Sequence, residues 1–198
     1  MSSEVYAVIL AAGSASRFGS TKQLAELDGV SLVARATATA NDVCSDRTVV
    51  VVGHDTEAVT AELQGTRGFV IVNDDYSEGL GTSLARAVTS ISHVASAVIV
   101  MLADQPDISS QHLENLIGAW NDGDCDIVTT TFAGTQGPPV LFSSTCFDDL
   151  RQLSGDAGGK HLFGDSRFDL ATVVFEAAAI DVDTEKDLRS LRAKRGNL

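Results

Sequence analysis

The chain has 198 residues, 44% of them hydrophobic, so it is long and apolar enough to bury a full core. Its formal net charge of −13 argues against a surface for nucleic acid or anionic membrane, since both need basic patches. Cys44, Cys125 and Cys146 are odd in number and far apart, with no Cys-x-x-Cys, which fits neither a zinc site nor a disulfide framework and predicts reduced, partly buried thiols. The opening residues carry Glu4 where a leader would be basic, and the apolar run behind them is too short for a signal or membrane segment; a cytoplasmic location is expected.

The first element is an apolar run, Val5–Leu10, that reads as a buried strand. It leads into Leu10-Ala11-Ala12-Gly13-Ser-Ala-Ser-Arg17-Phe18-Gly19-Ser-Thr-Lys22, with glycines, hydroxyls, an arginine and a lysine in one short loop. Small residues let a backbone approach a ligand closely, and turn N–H groups beside Arg and Lys seat phosphates. A P-loop has four residues between its glycines and then Lys-Ser/Thr. Here five residues separate Gly13 from Gly19, and Lys22 comes two residues late. The dinucleotide fingerprint fails as well, because Ala15 stands where its second glycine belongs. The choice at this point is between a phosphate seat of another type and a flexible strand-to-helix connection.

Strands are expected next at Thr48–Val52, Phe69–Val72, Ala97–Leu102 and Asp126–Thr131, compact and mostly β-branched. Helices are expected between them at Ser31–Ala40, Thr56–Leu63, Thr82–Ser92 and Ser109–Trp120, each opening near a Ser or Thr. This alternation predicts an α/β fold with a mostly parallel central sheet and helices on both faces. Beyond residue 132 the pattern loosens. Pro138-Pro139 precede a possible edge strand, Val140–Phe142; Ser144–Leu153 looks helical, and Phe168–Phe175 reads as a strand. A last helix opens at Thr184, with Asp187 three residues on as a capping box. No linker or internal repeat divides the chain, so one domain over residues 1–198 is expected.

Ligands of open parallel sheets bind beyond the carboxyl ends of the strands, and those ends are chemically loaded here. Asp104 follows six apolar residues, so its carboxylate emerges where a buried strand surfaces and needs a partner. Magnesium on nucleotide phosphate is one such partner; a helix-capping role is the other reading. In Asp181-Val182-Asp183 alternation puts both carboxylates on one face, either as a second acidic support for the metal or as a helix N-terminus. Gly79-Leu-Gly81-Thr-Ser83 opens a helix with free N–H groups and hydroxyls for a base or ribose, or is a plain turn. Gly155-Asp156-Ala-Gly158-Gly159-Lys160 offers a basic residue for an anionic acceptor, with Asp156 anchoring the loop. His54, His93, His112 and His161 lack metal spacing and a neighbouring nucleophile. His93 and His112 are expected at the surface, and His161 is noted because it adjoins Lys160.

Taken in order, the opening loop, Asn73…Gly79-Leu-Gly81-Thr-Ser83-Leu, Ala103-Asp-Gln-Pro106, Gly137-Pro-Pro-Val-Leu-Phe142, Leu153-Ser-Gly-Asp156 and Asp181-Val-Asp-Thr184 resemble the motifs of the MobA-like nucleotidyltransferases. Phe18 takes the usual Met position. The resemblance is closest to the molybdenum cofactor cytidylyltransferase branch, since the guanylyl branch usually carries Leu-Ala-Gly-Gly where this chain has Leu10-Ala11-Ala12-Gly13. It implies a Rossmann-like nucleotidyltransferase fold, with a nucleotide-binding half over 1–131 and an acceptor-side half over 132–198. It also implies Mg2+-dependent transfer of CMP from CTP to a phosphorylated acceptor, molybdopterin foremost, with release of pyrophosphate. Leu10 to Gly13, Arg17 and Lys22 would hold the triphosphate, with Gly79, Gly81 and Ser83 also on the nucleotide. Arg17, Lys22 and Asp104 would be the catalytic groups. Asp104 would bind the metal, supported by Asp181 or Asp183, and Gly137, Asp156 and Lys160 would face the acceptor. Two departures, Gly137-Pro138-Pro139 for Gly-His-Pro and Gly158-Gly159-Lys160 for Gly-Ala-Arg, fall on the acceptor side, and Lys lacks the bidentate fork of Arg. Other readings are a sugar-phosphate nucleotidyltransferase, a non-catalytic accessory protein that hands cofactor to a molybdoenzyme or its chaperone, and an oxidoreductase with a recruited nucleotide seat.

Overall fold

The computed structural model describes residues 4–14 and 18–196. In chain order its elements are β1 (Val5–Ala11), β2 (Glu26–Leu27), β3 (Val30–Ser31), α1 (Leu32–Cys44), β4 (Thr48–Val52), α2 (Thr56–Glu62), β5 (Phe69–Val72), α3 (Leu80–Ile91), β6 (Ala97–Leu102), α4 (Ser110–Asp122), β7 (Ile127–Phe132), β8 (Thr135–Ser143), α5 (Phe147–Leu150), β9 (Leu170–Val174) and α6 (Glu185–Arg195). Seven strands form one sheet in the order β5-β4-β1-β6-β8-β7-β9, and β2 and β3 form a separate small hairpin. Strands β5, β4, β1 and β6 run parallel, β9 is parallel to β7, and β8 runs against both of its neighbours.

Alternation along β1 divides the core. Val5, Ala7, Ile9 and Ala11 face one layer with Val33, Ala36 and Ala40 of α1, Val59 of α2, and Leu113 and Leu116 of α4. Val8, Leu10 and Ala12 face the other, with Leu84, Val88 and Ile91 of α3 and Phe147 and Leu150 of α5. A period of two in the strand forces this split, and the helices cover both sheet faces as the strand–helix rhythm predicts. A third cluster (Phe18, Leu27, Leu32, Val182, Leu188, Leu191) fastens the hairpin and α6 beside the carboxyl end of the sheet. Thr184 caps α6 in a capping box with Asp187. Cys44 and Cys146 are free and buried, and loss of solvation pushes each thiol up to about 11.

Strand β8 corrects the expected edge strand at Val140–Phe142. It is nine residues long and lies inside the sheet between β6 and β7. Proline is normally kept out of inner strands because it cannot donate to the ladder. The exception has a visible cause: pairing with β7 jumps from Thr129–Val140 to Thr130–Gly137, so Pro138 and Pro139 are bulged out. Side chains take the freed carbonyls, with Thr130 Oγ1 donating to Pro139 O at 2.6 Å and Gln105 Nε2 to Pro138 O at 3.3 Å. Because β6 pairs only with Val140–Ser143, the earlier part of β8 diverges from it and opens a gap. The helix expected over 144–153 is a 3₁₀ turn, Ser144–Cys146, followed by the short α5.

His112 corrects the expected surface histidine. It is 1% exposed and stacks on Phe175 with ring centroids 4.3 Å apart. Thr130 Oγ1 spends its hydrogen on Pro139 O, so the His112 Nε2–H donates to Thr130, at 2.8 Å, and Nδ1 is left buried without a partner. Burial lowers the imidazole to about 4. The unfolded chain therefore takes up this proton first as pH falls below the ordinary value of about 6.5, and stability declines from there toward pH 4. The expected loss through His112 is about 3 kcal/mol between pH 7 and pH 4. Urea titrations of wild type and His112→Gln at both pH values check it: the variant should lack that part of the decline.

Candidate active site

The chain runs from β1 outward through β4 to β5, then returns to place β6 on the other side of β1. That reversal opens a crevice between the carboxyl ends of β1 and β6, where ligands of such sheets bind. Ala12–Ser14 leave β1 there, and Asp104 leaves β6. A 3₁₀ turn, Lys22–Leu24, is tied into the crevice by Gln23, whose Nε2 donates to Gly13 O at 2.7 Å. The His54 N–H donates to Ala12 O at 3.0 Å, and Thr21 Oγ1 donates to Asp55 Oδ2 at 2.5 Å. These bonds hold the loop from both sides while a Cβ added at Gly13 would meet open space. Arg17 lies outside the described residues.

Lys22 Nζ lies 2.6 Å from Asp104 Oδ2 and 3.1 Å from Asp183 Oδ1. Residues distant in sequence thus meet around one ammonium. Burial works to lower the Lys22 pKa, but the Asp104 and Asp183 carboxylates outweigh it and hold the ammonium above the ordinary lysine value. Asp181 lines the neighbouring cavity at its exposed rim. Loss of solvation, followed by repulsion from Asp104 and Asp183, pushes its carboxyl up to about 6, against hydrogen bonding from Gln105 and attraction by Lys22. Val182 between them is fully buried. Neither acidic group is a helix cap: Ser109 caps α4 and Thr184 caps α6.

Asp104 Oδ1 is buried without a hydrogen-bond partner. Magnesium keeps several waters and is held through one or two carboxylates plus substrate phosphate, so Asp104 and Asp183 suit it in number and chemistry. Among the described residues no three His, Cys, Asp or Glu side chains form a complete cage. Of the aspartates expected to serve a metal, Asp104 with Asp181 or Asp183, Lys22 sits against Asp104 and Asp183.

Two cavities flank this cluster. One, about 540 Å³, is lined by Leu10, Ala12, Gly13, Ser14, Tyr76, Ser77, Gly79, Leu80, Ser83 and Asp156. The other, about 350 Å³, fills the gap left by β8 and is walled by apolar side chains including Leu84, Val100, Phe132, Phe142 and Phe163. Gly137 and Lys160 line this second cavity. Asp156 does not; it lines the first cavity, with Gly13 and Ser83. The Ala11 side chain is packed in the core under α1, on the sheet face away from Leu10 and Ala12. The Gly81 N–H donates to Gly155 O at 2.8 Å and is taken. Gly81 instead lets α3 press on the 154–157 backbone, where a Cβ would come within 2.7 Å of Ala157 O. Ser83 keeps its place facing the cavity and accepts from Asn73 Nδ2 at 2.9 Å. His161 is exposed and its ring pairs with Gly158 O at 3.1 Å. The residues not singled out from sequence are Gln105, Tyr76 and Leu80. Leu10 and Leu80 line both cavities and form the septum between them.

Gly79 has φ +117°, and an added Cβ would lie 2.3 Å from the Gly155 backbone. Gly79→Ala is therefore expected to destabilise the protein by about 2 kcal/mol or more and to enlarge KM for nucleotide. Chemical denaturation and steady-state kinetics read the two effects.

Residues 7–170 match the MobA-like NTP transferase domain. The chain belongs to that family. Purine catabolism protein PucB of Bacillus subtilis (strain 168) is 30% identical over 93% of this chain and 94% of its own length. Bifunctional protein GlmU of Francisella tularensis subsp. novicida (strain U112) is 33% identical over 66% of this chain, a stretch that spans only 28% of GlmU. Among solved structures, Rv0371c of Mycobacterium tuberculosis H37Rv in complex with manganese superposes with a TM-score of 0.77 at 26% identity, covering 96% of this chain and 99% of that one. The chain is thus a nucleotidyltransferase with the Rossmann-like fold of MobA-like proteins. Among the described residues no helix is long and apolar enough to cross a membrane.

Proposed function

We propose that this MobA-like protein is a cytoplasmic, magnesium-dependent cytidylyltransferase that moves CMP from CTP to a phosphorylated acceptor, with molybdopterin the favoured acceptor. The observation that carries the reading is the Lys22–Asp104–Asp183 cluster at the sheet's crevice, with a polar cavity on one side and an apolar cavity on the other. The polar cavity takes the nucleotide along Ala12–Ser14, Gly79 and Ser83. The apolar cavity takes the acceptor body, and Lys160 at its wall meets the acceptor's anionic group.

An acceptor phosphate oxygen bonds to the α-phosphorus of CTP as the bond to the β-phosphate oxygen breaks. The bonding pair departs on pyrophosphate. The attacking oxygen is already ionised, so no residue has to remove a proton. The chain's task is to bring two anions together and neutralise them. Lys22 supplies positive charge at the α-phosphate, and Arg17 is assigned to the departing pyrophosphate. Asp104 with Asp183 would hold Mg2+, Asp181 standing beside them, and the ion supplies charge neutralisation between nucleotide and acceptor. The apolar walls, Phe132, Phe142 and Phe163 among them, suit the faces of a flat ring, and Gln136, Lys160 and Asp181 in the same lining suit its polar edge.

Pyrophosphate release by purified protein tests this, with CTP, GTP and ATP each offered a molybdopterin-type acceptor or a sugar 1-phosphate. Release with CTP and the pterin acceptor is expected. Turnover only with a sugar phosphate would favour the sugar-phosphate nucleotidyltransferase alternative, and nucleotide binding without release would make the protein an accessory factor.

A further inference from the structure

Gln105 sits between the charged cluster and the apolar cavity. It follows Asp104 directly, lines the cavity and is 4% exposed. Its Nε2 donates to Ala178 O at 2.9 Å and to Pro138 O at 3.3 Å. These carbonyls fix which end of the amide is which, since the reversed amide would set an oxygen against two carbonyl oxygens. Both are unusual partners. Pro138 belongs to the bulge that β7 skips, and Ala178 belongs to the 3₁₀ turn Glu176–Ala179 that leads into Asp181 and Asp183. The Asp104 carbonyl adds a bond from the Val182 N–H at 3.0 Å, so the end of β6 organises the acidic segment through two neighbouring residues. Gln105 Oε1 is buried without a partner. A leucine or methionine would fill the same space but would leave the Pro138 and Ala178 carbonyls without this donor, so the amide and not the bulk is what this position supplies.

We propose that Gln105 is a positioning residue for the acceptor: by tying the Pro138 wall and the Ala178–Asp183 segment to the end of β6, it sets the acceptor's phosphate against Asp104. This rests on the transferase reading of the site. Gln105 acts through the two backbone segments and through its hydrogen bond to Asp181, and does not line the cavity assigned to the nucleotide. Its removal is therefore felt more strongly by the acceptor, whose cavity wall it ties, than by the nucleotide, which it reaches only through the acidic end of the 178–183 segment.

The test uses Gln105→Leu and Gln105→Met, which keep the bulk and cannot donate. Steady-state KM is measured for a molybdopterin-type pterin phosphate and for CTP. Calorimetry gives affinity for CTP with Mn2+ in the absence of acceptor, and hydrogen exchange follows the backbone. Acceptor KM is expected to rise about tenfold or more, and by at least about threefold more than CTP KM rises or CTP affinity falls. Exchange should quicken over residues 135–140 and 176–183 and stay unchanged in β1. Equal rises in both KM values, an unchanged acceptor KM, or unchanged exchange at both segments overturns the proposal. A wild type that transfers to no acceptor overturns the transferase reading and this proposal with it. A wild type that turns over beside variants that match it overturns the positioning role alone.

Discussion

Replacing Lys22 by Met is expected to lower turnover about 10²- to 10³-fold while making the protein bind Mn2+ more tightly in the absence of nucleotide. The two effects have opposite signs because one ammonium serves two purposes. With Asp104 at 2.6 Å and Asp183 at 3.1 Å, Lys22 stands where a cation bridging these carboxylates would stand. Removing it relieves competition for the aspartates, which by Coulomb attraction strengthens divalent binding about tenfold. The same change strips positive charge from the position assigned to the α-phosphate, and a methylene chain of similar length gives none back. Electron paramagnetic resonance of free Mn2+ reads the first effect, and pyrophosphate release reads the second. A fall in both would mean that Lys22 organises the aspartates and does not compete for them. The pair is partly exposed, with Lys22 at 15% and Asp104 at 21%, so the stability change should be far smaller than for a buried ion pair.

The strands around this cluster are legible because they are short, β-branched and bounded by turn residues. Thr48–Val52, Phe69–Val72 and Ala97–Leu102 emerge with the expected ends. The crevice is legible for a related reason: a carboxylate directly behind six apolar residues marks where a buried strand surfaces, and only the Ser109 cap on α4 removes the helix-capping reading. What resists reading depends on distant contacts. The two prolines argue for an edge strand until a bulge, Thr130 and Gln105 are seen to satisfy their surroundings. The apolar cavity draws Phe132, Phe142 and Phe163 from three separate elements, and no spacing announces that. Gly81 offers a free N–H in sequence, and only the fold brings Gly155 O to take it. For His112 a signal existed. It precedes Leu116 by four residues and adjoins Leu113, which places it on the apolar stripe of α4.

Replacing Asp104 by Asn separates the two purposes from the other side. Asn keeps the shape and can still offer its oxygen to Lys22, so its NH2 would occupy the place of the unpartnered Oδ1. A donor in that position repels a cation. Turnover is expected to fall about 10³-fold, and Mn2+ binding should weaken where Lys22→Met strengthens it. The double variant decides between two accounts of the pair. If Asp104 served only to restrain Lys22, removing both would cost no more than removing Lys22 alone, and the losses would be strongly non-additive. If Asp104 holds the metal and Lys22 the phosphate, each variant removes a separate source of charge neutralisation. The double variant should then be slower than either single one. Its Mn2+ affinity should lie between theirs, since one substitution withdraws a ligand and the other withdraws the competitor. Turnover and metal affinity measured across the four proteins distinguish these accounts without reference to which acceptor is used, because the charge on the α-phosphate and the carboxylate at Asp104 are common to all of them.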